Sequence, residues 1–247
     1  MDGIGDDDAV GDSSSVSEQP SPSRTEEEPA AAALIFGDRV DLARAYVGSL
    51  ATDGVIRGLI GPREPARLWT RHVLNSAVIT ALVPQAARVV DIGSGAGLPG
   101  IPLAIARPDL EVILVEPLER RVRYLLEVVD SLGLAGCRVV RGRAEEVVTD
   151  CGAADVVTSR AVAPLHRLVG WSAPLARPGG VVLAMKGQSA AAELDRDRKA
   201  VAAAGLVDPE VLEIGGDHEL VEPTFVIRAR KAAVGRSSSR DRPPRRR

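Results

Sequence analysis

From residue 88 onward, short Val-, Ile- and Leu-rich runs alternate with amphipathic stretches. The pattern predicts strands at 88–92 (RVVDI), 111–116 (EVILVE), 137–140 (CRVV), 154–159 (ADVVTS), 180–186 (GVVLAMK), 210–214 and 224–230 (TFVIRAR). Helices are predicted at 99–107, 118–132, 164–176 and 188–204. Apolar runs too short for helices belong to parallel strands covered on both faces. Right-handed crossovers then restrict the chain to a doubly wound α/β fold. Only GGDHELVEP joins the last two strands, so they are expected to pair antiparallel at one edge. Before residue 88 the rhythm is helical. Residues 38–60 carry a helical apolar pattern, GPREP breaks it, and Pro65 suits the first turn of the next helix. That helix, 66–82, is predicted to bury Leu68, Val73, Leu74, Ala77, Val78 and Ala81.

Charge changes the picture at the ends. Residues 1–28 hold nine acids and one base, and the last twenty residues hold nine bases and one acid. The modest formal charge of −3 therefore hides tails of opposite sign. Four segments follow: a disordered acidic tail (1–33), an N-terminal helical cap (34–87), a ligand-binding α/β domain (88–230) and a disordered basic tail (231–247). The basic tail fits either nonspecific RNA phosphate affinity or plain solvation. Arg outnumbers Lys 28 to 3, so Arg usage by itself says little about phosphate. Cys137 and Cys151 make no disulfide framework, and His72, His166 and His218 lack metal-ligand spacing, so no metal is expected. No apolar run approaches the roughly 18 residues of a spanning helix, and no signal peptide is evident. A cytoplasmic monomer with no membrane contact is expected.

The segment RVVDIGSGAGLPGIPLAIARP places Gly93, Gly95 and Gly97 at the carboxyl end of the first strand, where ligands of such folds bind. A dinucleotide fingerprint needs its third glycine at 98, but Leu98 stands there, and Pro99 removes an amide donor. Glu116, ending the second strand, is placed to accept both hydroxyls of a ribose. After the third strand, Ala144 and Glu145 are placed to flank an adenine edge. The bland alternatives are a solvated strand end and an acid pair favouring a helix N-terminus. Nothing is equipped for a second nucleotide. The three elements fit S-adenosylmethionine better than a dinucleotide.

The motifs RHVLNS, VVDIGSGAGLPGIPLAIARP, EVILVEPLERRVRYL, GRAEEV, TSRAVAPL and LAMKGQ stand in the order seen in the glucose-inhibited division protein B family. Over 38–230 the chain resembles these RsmG-type enzymes, which methylate guanine N7 in small-subunit ribosomal RNA. The resemblance implies a class I S-adenosylmethionine-dependent methyltransferase fold: a Rossmann-like, seven-stranded sheet with its last strand antiparallel, preceded by the helical cap. It implies 16S rRNA or the small ribosomal subunit as partner, with guanine 527 as target. By position it places cofactor contacts at Gly93, Leu98, Ala144, Glu145 and Arg160, with Gly95 in the loop and Glu116 on the ribose. Arg123 matches a position associated with RNA contact. Asn75 departs from the Asp often found in the family's RHxxDS.

The implied chemistry demands few special residues. Guanine N7 offers a lone pair and no proton, so orientation can supply most of the acceleration. No catalytic acid or base is singled out; Arg160, Arg123 and Lys186 are the candidates for positioning substrate, Lys186 through a phosphate. The chain lacks the N-P-P-[YF] tetrapeptide of exocyclic-amine methylation, and neither cysteine follows a proline as expected for attack at pyrimidine C5. Arg120 and Arg121 read as solvated, Trp69 and Trp171 as core, and His72 as either cleft cap or packing. Six aromatics are too few for a long base-stacking platform. Two competing readings are a nicotinamide-dependent oxidoreductase, opposed by Leu98, and a noncatalytic RNA-binding module, opposed by the intact Gly93, Glu116 and Glu145.

Overall fold

The computed structural model describes residues 24–215 and 223–233. One seven-stranded sheet runs β3-β2-β1-β4-β5-β7-β6. Its strands are β1 (Arg88–Ile92), β2 (Glu111–Glu116), β3 (Cys137–Arg141), β4 (Ala154–Arg160), β5 (Ala176–Lys186), β6 (Leu206–Ile214) and β7 (Thr224–Lys231). β1 to β5 pair in parallel, as in Val90↔Ile113 and Val90↔Val157. β7 enters antiparallel between β5 and β6, with Leu183↔Arg228 and Leu212↔Val226. The predicted antiparallel pairing at one edge is therefore present; the GGDHELVEP link itself lies largely outside the described residues. β6 begins earlier than its sequence suggested. Pro209 reads as a breaker, but it sits at a register shift between Val207 and Glu210, next to Asp208 at φ 52°.

The helices are α1 (Ala30–Phe36), α2 (Val40–Ser49), α3 (Asn75–Ala77), α4 (Gly100–Ala106), α5 (Glu119–Ser131), α6 (Val148–Cys151), α7 (Leu165–Ser172) and α8 (Ala190–Ala203). Wide turns at Leu68–Leu74 and tight turns at Val78–Leu82 extend α3 into one rod. The core divides into two layers. One packs the cap, α4 and α5 on the sheet through Tyr46, Leu50, Leu68, Ile101 and Leu125; the other packs α6, α7 and α8 through Val147, Leu168 and Val201. Leu68, Val73, Leu74, Ala77 and Val78 are buried as predicted, but Ala81 is exposed and Ile79 is buried. Tightened turns advance the apolar stripe faster than a 3.6-residue period does.

The 33/34 boundary of the expected acidic tail falls inside α1, whose Ala31 and Ala32 are buried. Two acids just upstream dock on the cap. Glu26 donates its amide to Pro65 O (2.9 Å) and accepts from the Thr70 amide (3.1 Å), while Glu28 pairs with Arg44. The described N-terminal part of the tail is thus attached to the cap, and residues 1–23 and 234–247 lie outside the described residues.

Candidate active site

Strand order reverses at β1, flanked by β2 and β4, and a cleft of about 790 Å³ opens there. Its size suits a single drug-sized ligand. Gly93, Gly95, Leu98, Glu116, Ala144, Glu145 and Arg160 all line it. Lys186 and Arg123 do not. Arg123 points to solvent and pairs with Glu119 at 2.6 Å; Lys186 is held inside the fold, 12% exposed, at 3.0 Å from Glu193.

The glycine loop is built around one carboxylate. Glu116 is 1% exposed, and its two oxygens accept from the Gly95 and Leu118 amides, each at 3.0 Å. A carboxylate held by two backbone amides has a fixed direction and keeps further lone pairs for hydroxyl donors. Gly95 adopts φ +58°, and a side chain placed on it would meet nothing nearer than Gly93 O at 3.8 Å. The bare backbone therefore faces open cleft. Most loop amides are already used: Gly93 and Ser94 donate to Val115 O, Gly97 and Leu98 to Ser94 O, and Gly100 to Asp91. An anion-binding loop needs such donors pointing at the ligand, so this one is poorly fitted to a diphosphate.

Asp91 lies beneath the loop, fully buried, with Oδ2 on the Gly100 amide at 3.1 Å and Oδ1 without a hydrogen-bond partner. Burial pushes its carboxyl up to about 7. Tyr46 of α2, also fully buried, donates its hydroxyl to Ala96 O at 2.8 Å and so ties the cap to the loop.

Arg160 fastens the opposite wall. Its guanidinium donates to Arg71 O (2.7 Å), His72 O (3.0 Å) and Ser76 Oγ (2.9 Å). Burial lowers its pKa to about 10, so it stays charged at neutral pH. Its donors are spent on the cap rather than on a surface carboxylate. His72 takes part in both capping and packing: it lines the cleft and contacts Glu64 through Nε2 at 2.5 Å. Burial pushes its pKa below the ordinary value, against the pull of Glu64. Asn75 turns away from any acid–base role and bonds the Thr224 side chain.

Several wall residues escaped the sequence reading, Arg121, Arg143 and Trp171 among them. Arg121, grouped with the solvated arginines, lies 3.7 Å from Glu116 in the cleft. Helical spacing carried the signal, because 121 precedes the buried Tyr124, Leu125 and Val128 by three, four and seven residues. Arg143 lines the cleft beside Ala144. Trp171, expected in the core, also lines it, with the Arg167 guanidinium 5.3 Å from its ring centre; Trp69 is in the core. Neither cysteine lines the cleft, and burial pushes the Cys137 thiol up to about 12. Among the described residues no cluster of His, Cys, Asp or Glu is arranged to hold a metal, and no helix is long and apolar enough to cross a membrane.

A parallel sheet that reverses at β1, ends in an antiparallel insertion and carries an acid at the tip of β2 defines the class I S-adenosylmethionine-dependent methyltransferase fold. Solved structures share it. An S-adenosylmethionine-dependent methyltransferase from Aquifex aeolicus matches with TM-score 0.52 at 18% identity, over 68% of this chain and 94% of that one. Aeropyrum pernix fibrillarin, solved with S-adenosylmethionine bound, matches with TM-score 0.50 at 20% identity, over 64% of this chain and 74% of that one. The chain belongs to the rRNA small subunit methyltransferase G (GidB) family, whose sequence profile matches residues 39–221. Relatives named ribosomal RNA small subunit methyltransferase G include one from Corynebacterium efficiens, 57% identical over 82% of this chain and 88% of its own length. Another, from Mycobacterium sp. strain KMS, is 53% identical over 88% of this chain and 96% of its own length.

Proposed function

We propose that the cleft binds S-adenosylmethionine and that the chain methylates N7 of a guanine in 16S rRNA, guanine 527 by family resemblance. The observation that carries this reading is the Glu116 carboxylate, aimed into the cleft by the Gly95 and Leu118 amides. The residues fit the cofactor. Glu116 takes the ribose hydroxyls, the bare Gly95 backbone admits the nucleoside, Ala144 and Glu145 flank the adenine, and Leu98 closes the loop side. When bound, S-adenosylmethionine supplies an electrophilic methyl on a sulfonium.

This chain's own part is to bind, orient and exclude water. N7 presents its lone pair without losing a proton, so no cleft residue needs to act as a base. Glu64 is engaged with His72, and Glu116 with the loop. The wall formed by Arg160, Ala161 and Val162 faces the space left beyond the cofactor residues, and Arg71, Arg121 and Arg143 add positive charge around it for the RNA backbone. We place the protein in the cytoplasm, acting as a monomer on rRNA or the small subunit.

The test is transfer of labelled methyl from S-adenosylmethionine to unmodified small subunits and to naked 16S rRNA, with the product mapped by N7-specific strand cleavage. Label at one guanine N7 is expected. Label on another atom would reject the reaction, and absence of label on both substrates would leave an RNA-binding module. Thermal stabilisation by NAD but not by S-adenosylmethionine would reject the cofactor.

A further inference from the structure

Lys186 was expected at an RNA phosphate, but its ammonium points the other way. Nζ donates to Ala163 O at 2.9 Å and to Glu193 Oε1 at 3.0 Å, and both charged side chains are nearly buried, at 12% and 13% exposure. The same Glu193 oxygen accepts the Leu165 amide at 2.7 Å, and Asp197, one turn along α8, accepts the His166 amide at 3.1 Å. These are free amides of the first turn of α7, which Pro164 cannot cap with a side chain. Two carboxylates of α8 and one ammonium of β5 therefore grip the segment 163–166 from behind.

The grip bears on the cleft. The segment leaves β4 through Ala161, held at φ +54°, a conformation that costs a non-glycine residue energy and persists only where the surroundings enforce it. Ala161 and Val162 both line the cleft. Val162 closes on the glycine loop so tightly that a side chain on Gly93 would come within 2.9 Å of its methyl. Lys186 thus reaches the reaction space through Ala163, Val162 and Ala161 without touching it.

We infer that Lys186 is a positioning residue for the methyl transfer: with Glu193 it fixes the 161–164 wall against which the target guanine must lie. The inference rests on the proposed guanine-N7 activity. If the wall shifts, the guanine loses its line to the methyl, and misplacement by about 1 Å costs up to about 100-fold in rate. Cofactor binding, which depends on Glu116 and the loop amides, changes much less.

The experiment compares Lys186→Met, Lys186→Arg, Glu193→Gln and the Lys186→Met/Glu193→Gln double variant in the full chain. Thermal melting, S-adenosylmethionine affinity by calorimetry, and single-turnover transfer to small subunits are measured for each. Lys186→Met is expected to lower the single-turnover rate by about 10- to 100-fold, with cofactor Kd within about threefold. Lys186→Arg should recover part of the rate, because it restores a cation for Glu193. The double variant should be no slower than the worse single one, since both break one linkage. A well-folded Lys186→Met protein with wild-type transfer rate overturns the inference, as does a loss confined to RNA affinity with the rate at saturation unchanged, which would return Lys186 to a phosphate role. If Lys186→Met fails to fold, Glu193→Gln with an unchanged rate overturns it equally. Lack of transfer by the wild-type chain would instead reject the underlying activity.

Discussion

Replacing Glu116 by Gln tests the proposed cofactor site at its most constrained point. The side chain is 1% exposed, and each oxygen accepts one backbone amide at 3.0 Å. Gln offers one oxygen, so its NH2 group must face either the Gly95 or the Leu118 N–H, donor against donor. In the proposed complex the same group also faces the ribose hydroxyl that would donate to that oxygen. Hydrogen bonds to a charged acceptor contribute about 1.5–3 kcal/mol each. Loss of one ribose bond together with a displaced loop amide therefore costs about 3 kcal/mol in binding, or a rise of roughly 150-fold in Kd. Calorimetric titration with S-adenosylmethionine reads this directly, and S-adenosylhomocysteine should weaken in parallel because it carries the same ribose. A melting curve run alongside separates site from scaffold: the change at Gly95 is local, so a Tm drop of several degrees with wild-type Kd would show that the carboxylate serves the loop alone. A wild-type Kd in a fully folded variant would refute the assignment of Glu116 to the sugar.

Gly95→Val should fold, since the nearest atom to the added carbon is 3.8 Å away; left-handed backbone strain of about 1–2 kcal/mol lowers Tm modestly, and calorimetry should detect no S-adenosylmethionine binding. Tyr46→Phe strands the buried Ala96 carbonyl at a cost of about 1–3 kcal/mol, which denaturant titration should show, together with a weaker cofactor Kd as the loop loosens. The Asp91 carboxyl keeps its proton in the folded state up to about 7, above its unfolded value near 3.9. In that interval the unfolded chain binds fewer protons, so this group makes stability fall as pH rises from about 4 to 7. Asp91→Asn removes that slope, and its Tm relative to wild type should climb across the interval; parallel pH profiles would show that Asp91 does not titrate there.

The parallel core was legible because its message is local. Val112 to Val115 are apolar at every position and Val89, Val90 and Ile92 are broken only by the buried Asp91, as strands covered on both faces require, and Glu116 interrupts the pattern where the strand meets the cleft. The glycine spacing likewise carried its own exclusion of a diphosphate, and the loop's spent amides supply the physical reason. What could not be read depends on partners that only the fold brings together. Arg160 looks like any strand-end arginine until carbonyls 88 and 89 residues away come to meet it. Lys186 ends a strand as a phosphate-binding lysine would, and only the path of α8 brings Glu193 under it. α1 was hidden for a different reason: alanines after a run of acids give little hydrophobic contrast, although Ala31 and Ala32 pack as closely as any leucine here.

The cap is sewn to the cofactor domain on two sides of the cleft, through the Tyr46 hydroxyl on one and the Arg160 guanidinium on the other. Neither seam can be cut without disturbing a wall of the binding site. A protein assembled this way resists modular engineering: a hybrid that borrows its first eighty-odd residues from a distant homologue must bring both stitches in register, or it inherits a distorted pocket along with its new hood.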